Sequence, residues 1–95
     1  MLVLPKELTQ AQASACLALL LPDLRTQSGP QVVVDASALS RFDSAALAVL
    51  LEFRRQSLAL GKRFSVLGLP ARLADLATLY GIVELLPAAA PAPVK

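Results

Sequence analysis

The sequence predicts one small α/β domain, with a mixed, mostly parallel sheet of about four strands and three main helices. Three observations predict it. Short apolar or β-branched runs alternate with longer segments of helical periodicity. Glycine and proline punctuate the joins between them. The length, 95 residues, suits a single hydrophobic core. Strand and helix in alternation imply parallel strands joined by right-handed crossovers.

The elements follow in order. Leu2-Val3-Leu4 reads as a short strand stopped by Pro5. Thr9 and Gln12 fit a capping box, in which a hydroxyl and an amide satisfy free N–H groups of a first helical turn. Ala13, Cys16, Leu17, Leu20 and Leu21 then recur at helical spacing. Pro22 lacks an N–H, which predicts an end or kink near Leu21, with Asp23-Leu24-Arg25 able to add a turn. Ser28-Gly29-Pro30 is a turn. Val32-Val33-Val34 does not alternate with polar residues, as expected of a central strand buried on both faces. Asp35 closes that strand, where its carboxylate suits N–H groups of its own loop.

A polar connection from Ala36 to Phe42 leads to Asp43, and Ser44 to Leu60 forms a strong helical pattern stopped by Gly61. Phe64 to Leu67 is the next strand. Gly68-Leu69-Pro70 opens a third helix with Leu73, Leu76, Ala77 and Tyr80 on one face and Gly81 as its stop. Ile82 to Leu86 is a last short strand or turn. The domain is thus expected over residues 1–86, and residues 87–95, Ala- and Pro-rich, as a disordered tail.

Composition narrows the function. Apolar residues make up 56% and charged residues only 17%, which implies a surface poor in charge with apolar area left for a partner. Runs of about 18 apolar residues, long enough to span a membrane, are absent. Met1 to Leu4 runs straight into Pro5-Lys6-Glu7 without a signal-like pattern, so a cytoplasmic location is expected. The single Cys16 excludes an internal disulfide and suits packing. Histidine is absent, which removes the commonest general base and metal ligand. An enzyme would have to rest on Asp35, Asp43 and Ser44 alone; no catalytic residue, cofactor or metal is expected. Net charge is +2, and Arg54, Arg55, Lys62, Arg63 and Arg72 are too dispersed, with too few aromatics between them, to read as a nucleic-acid footprint.

The Asp43-Ser44 helix start remains. Asp43 suits the N-cap, its carboxylate accepting free N–H groups and facing the positive end of the helix dipole. Ser44 then takes the first helical position with its hydroxyl outward. A phosphate on it would meet backbone N–H groups but repel Asp43. At about 100° per residue, Leu47, Leu50, Leu51 and Leu58 share a face expected on the sheet. Ala45, Ala48, Glu52, Gln56 and Ala59 lie opposite. Alanines in the first turns let another backbone approach, the build of a docking face, and also suit neutral filler of high helix propensity.

The run from Val32 to Leu60, with its buried strand ending in Asp35, its Phe42-Asp43-Ser44 helix start and its Gly61 stop, resembles the STAS domain family, and Leu67-Gly68-Leu69 and Leu79-Tyr80-Gly81 continue the likeness. Two branches are similar. Anti-sigma-factor antagonists typically read Asp-Ser-Ser-Gly here and are phosphorylated on the serine matching Ser44; this chain has Ala45-Ala46 in place of Ser-Gly. The MlaB branch, the small subunit on the cytoplasmic ATPase of the Mla phospholipid ABC transporter, has Asp followed by Ser or Thr at the helix start and a late Leu-Tyr pair, here Leu79-Tyr80. The resemblance to MlaB implies a non-catalytic subunit at the inner membrane through its partner. Asp43, Ser44, Ala45, Ala48 and Glu52 would contact the ABC transporter ATPase subunit. The antagonist branch implies instead a switch at Ser44.

Overall fold

The computed structural model describes residues 2–89. In chain order it contains β1 (Leu2–Val3), β2 (Glu7–Leu8), α1 (Gln10–Thr26), β3 (Gln31–Asp35), β4 (Arg41–Phe42), α2 (Ser44–Ala59), β5 (Arg63–Leu67), α3 (Ala71–Leu79) and a 3₁₀ turn at Val83–Leu85. The expected α/β architecture with three main helices is present. The central sheet has the order β1-β3-β5 and both of its pairings are parallel, with Leu2 opposite Val34 and Val34 opposite Val66. A separate parallel pair joins β2 to β4, Glu7 opposite Arg41.

Beyond β5, Ala88 pairs in parallel with Val66: the Val66 N–H donates to the Pro87 carbonyl and the Ala89 N–H to the Val66 carbonyl, each at 2.8 Å. Pro87 to Ala89, which composition assigns to the tail, therefore hydrogen-bond to the sheet. The rest of that tail, residues 90–95, lies outside the described residues. The segment expected as a last strand or turn from Ile82 is a turn, the 3₁₀ turn at Val83–Leu85.

The strand order decides where the core lies. Successive right-handed crossovers that step across a sheet in one direction put every helix on the same face. Burial follows that rule: Leu2, Val32, Val34, Phe64 and Val66 are buried, while Val33 and Ser65 on the alternate face are half-buried and Val3 is 56% exposed. The expectation that Val32-Val33-Val34 is covered on both faces is therefore corrected. An apolar run can mark a strand without a second layer.

α1 continues through Pro22 to Thr26, the further turn that Asp23-Leu24-Arg25 is able to add. Pro22 and Ala18, the residues whose i to i−4 bond is lost, are both exposed, so water can reach the freed carbonyl, while buried Leu24 anchors the final turn. In α2 the buried stripe runs through Ala46, Val49, Leu50, Phe53 and Ser57, about a quarter turn from the face projected through the leucines. Leu47 still lies within it, but Leu58 is 49% exposed. The rotation arises because α2 packs on both β5 and α1, and Phe53 is fully buried. Ser57 is accommodated by its hydroxyl donating to the Phe53 carbonyl at 2.7 Å. Gly61 stops this helix with φ +73°.

Candidate protein-docking site

In parallel βα units the helices begin at the carboxyl ends of the strands, so the starts of α1 and α2 meet at one pole of the domain. Asp43 stands between them. Its backbone is extended, with φ −134° and ψ −165°, as an N-cap requires. One carboxylate oxygen accepts the Ala45 N–H at 2.8 Å and the other accepts the Gln10 N–H, the first residue of α1, at 3.2 Å. One side chain thus serves two helix starts. Ser44 follows, exposed, at the first position of α2.

Upstream, the connection to Asp43 is held from both ends. Asp35 accepts the Ser37 N–H at 2.9 Å and the Ser37 hydroxyl at 2.6 Å through one oxygen, bonds that hold its carboxyl below the usual carboxylate range. This is the loop-closing role expected of it. Ala36 and Leu39 are buried, so the connection is not wholly polar, and Ser40 and Arg41 both donate backbone N–H groups to the Lys6 carbonyl. Arg41 also faces Glu7 at 3.6 Å, both side chains well exposed, a pair worth little by itself.

Four of the five residues singled out in the sequence, Asp43, Ser44, Ala45 and Ala48, lie together at the start of α2, and Glu52 lies outside that cluster. Gln10, Asp43, Ser44, Ala45 and Ala48 line one shallow depression of about 300 Å³. Ala48 is exposed and Ala45 half-buried. Glu52, one turn further, closes the uncharged stretch. It accepts from Arg55 through Nε at 3.0 Å and Nη2 at 2.6 Å, and from Gln56 at 3.0 Å. The Arg55 hydrogen bonds, with that from Gln56, hold the Glu52 carboxyl down to about 2. Its charge is already matched within the helix, so it presents an oriented acceptor at the edge of the face rather than an unpaired anion.

Gln10 is the member of this site that sequence reasoning missed. The signal was available: the Thr9-Gln12 capping box fixed where α1 begins, and parallel topology brings successive helix starts together. The box is formed, with the Thr9 N–H donating to Gln12 Oε1 at 2.8 Å. Elsewhere, Cys16 is buried and burial pushes its thiol up, the condition of a packing residue. Tyr80, grouped by spacing with Leu73, Leu76 and Ala77, is the C-cap of α3 and is 58% exposed, outside the core. Among the described residues no three His, Cys, Asp or Glu side chains are grouped to hold a metal, and no helix is long and apolar enough to cross a membrane.

The profile of the family described as "Mlab, STAS domain" matches residues 1–87. None of the curated proteins matches the chain.

Proposed function

This chain belongs to the MlaB-type STAS domain family, and we propose that it is the non-catalytic subunit that binds and regulates the cytoplasmic ATPase of an ABC-type phospholipid (Mla) transporter. STAS domains are protein-interaction domains. The observation that carries the finer reading is the start of α2, where exposed Ser44 and Ala48 and half-buried Ala45 adjoin a depression without a charged side chain other than the capping Asp43. A surface of that kind suits a close, uncharged protein contact. Alanine admits a neighbouring backbone, and there is little charge to desolvate.

Regulation follows if the chain binds one conformation of the ATPase better than another, since a partner shifts an equilibrium only by its differential affinity. Location at the inner membrane would then come through that partner. Co-expression with the Mla-type ATPase subunit of the same organism tests the reading. Wild type should co-purify, while Ala48→Arg and Ser44→Glu should not. Retention of both variants would remove the proposed contact.

The exposure of Ser44 favours one second reading, an anti-sigma-factor antagonist switched by phosphorylation of that residue. Ala46 is fully buried, and Ala45-Ala46 in place of Ser-Gly departs from that branch. Mass spectrometry of the native protein decides between them: stoichiometric phosphate on Ser44 under some growth condition supports the switch, and its absence under all conditions supports the transporter subunit.

A further inference from the structure

The carboxylate of Asp43 does more than an N-cap needs. Capping α2 is complete with the 2.8 Å bond from the Ala45 N–H. The start of α1 has its own cap, since the Thr9 hydroxyl accepts the Ala11 N–H at 3.3 Å and Gln12 bonds back to Thr9. The bond from the Gln10 N–H to the second Asp43 oxygen joins residues far apart in sequence and gives a partner to an N–H that α1 itself leaves free. Its effect is positional: it holds Gln10 beside Ser44, Ala45 and Ala48 on the rim of one depression.

Area points the same way. A stable protein contact covers roughly 800 Å² on each partner, and two turns of one helix, about 10 Å wide, supply only a fraction of that. The uncharged surface continues onto α1. Ser14 and Ala18 follow Gln10 at intervals of four on one helix face, both exposed, and no charged residue occurs between Glu7 and Asp23.

We propose that Asp43 is a positioning residue which, with one oxygen on each helix start, locks α1 against α2 so that the docking face is built by both helices, Gln10 and Ser14 included. The inference rests on the transporter-subunit reading above. It assigns the partner a single uncharged protein surface spanning two helices rather than a groove for one.

Calorimetric titration of the full chain with the Mla-type ATPase subunit of the same organism tests it. Gln10→Pro removes the N–H in question together with the side-chain amide, without breaking the helix: the first helical position tolerates proline, and Thr9 ahead of it is extended, with ψ −178°. Asp43→Asn keeps an equivalent cap but offers one oxygen instead of two. Each should weaken binding about tenfold or more, the size of one charge-assisted hydrogen bond, with the chain still fully folded at the temperature of the titration. The double variant should lose no more than either single, because both delete the same bond. Gln10→Ala, which loses the same side-chain amide but retains the N–H, should bind more tightly than Gln10→Pro, whereas Ser14→Arg should bind poorly.

Wild-type affinity in Gln10→Pro and Ser14→Arg, with binding abolished by Ala48→Arg, overturns the inference and leaves the transporter reading standing. Losses that add in the double variant, or that arise because a variant is unfolded at the titration temperature, overturn it too. Failure of the wild-type chain to bind the ATPase overturns both.

Discussion

Replacing Gly68 by alanine should destabilise the domain far more than the same change at Gly61, although both glycines have left-handed backbones, φ +69° and +73°. An alanine in that region costs about 1–2 kcal/mol, partly offset by the entropy removed from the unfolded chain, about 0.4–1 kcal/mol. At Gly61 nothing lies within 4 Å of an added Cβ, so the net loss is about 1 kcal/mol. At Gly68 the new Cβ would sit 2.7 Å from the Ser37 Cβ and 3.1 Å from its Cα. Carbon atoms pack at about 3.5–4.0 Å, so the Ser37 backbone would have to move by close to an ångström. Overpacking of that kind adds about 1–3 kcal/mol. Ser37 is held by Asp35 and leads into the connection to Asp43, so the displacement should propagate toward the docking pole. Urea denaturation measures the difference: the midpoint of Gly68→Ala should fall at least twice as far as that of Gly61→Ala, at unchanged slope. Equal shifts for the two variants would refute the close approach of Ser37 to Gly68.

Three further outcomes are expected. Phe53→Ala should cost about 3–5 kcal/mol, since the ring is fully buried and its loss leaves a cavity in the core; denaturant unfolding reads it directly, and a loss under about 1 kcal/mol would contradict the rotated core face of α2. Glu52 should titrate near 2 by NMR, and in Arg55→Ala its midpoint should rise toward the ordinary glutamate range. A depressed carboxyl of this kind stabilises the fold above its unfolded-state value near 4.5 and ceases to do so as pH falls toward 2, so the acid sensitivity of the Glu52–Arg55 contact should appear in that window. Ser44→Glu should leave the melting temperature unchanged or slightly raised, because an anion at the first turn of a helix meets the positive end of its dipole, which separates any loss of partner binding from a loss of fold.

Residues whose role is local were legible in the sequence. Asp43 and Thr9 were identified as caps from side-chain chemistry and spacing alone, Asp35 as a closer of its own loop, and Gly61 as a left-handed stop. Residues whose role depends on what packs beside them were not. The buried face of α2 is set jointly by β5 and α1, and a projection of its leucines, blind to α1, missed Phe53, Val49 and Ser57 and overvalued Leu58. Val33 has the composition of a strand buried on both faces, yet helix placement leaves its side of the sheet uncovered. The two-residue strands β2 and β4 carry too little pattern to register, and their pairing arises from tertiary placement. Gln10 belongs to the candidate site only through a hydrogen bond to a distant residue. Its polar side chain at a helix start offers no local cue to that partner.

The central claim is that a partner docks on the shared start of α1 and α2. Hydrogen–deuterium exchange of the full chain, with and without the Mla-type ATPase subunit, tests it most directly. The account predicts slowed exchange confined to the peptides carrying Gln10 to Ala18 and Ser44 to Glu52, lost in Ala48→Arg. Protection falling instead on the uncovered sheet face at Val3 and Val33, or on Leu79-Tyr80, would contradict it.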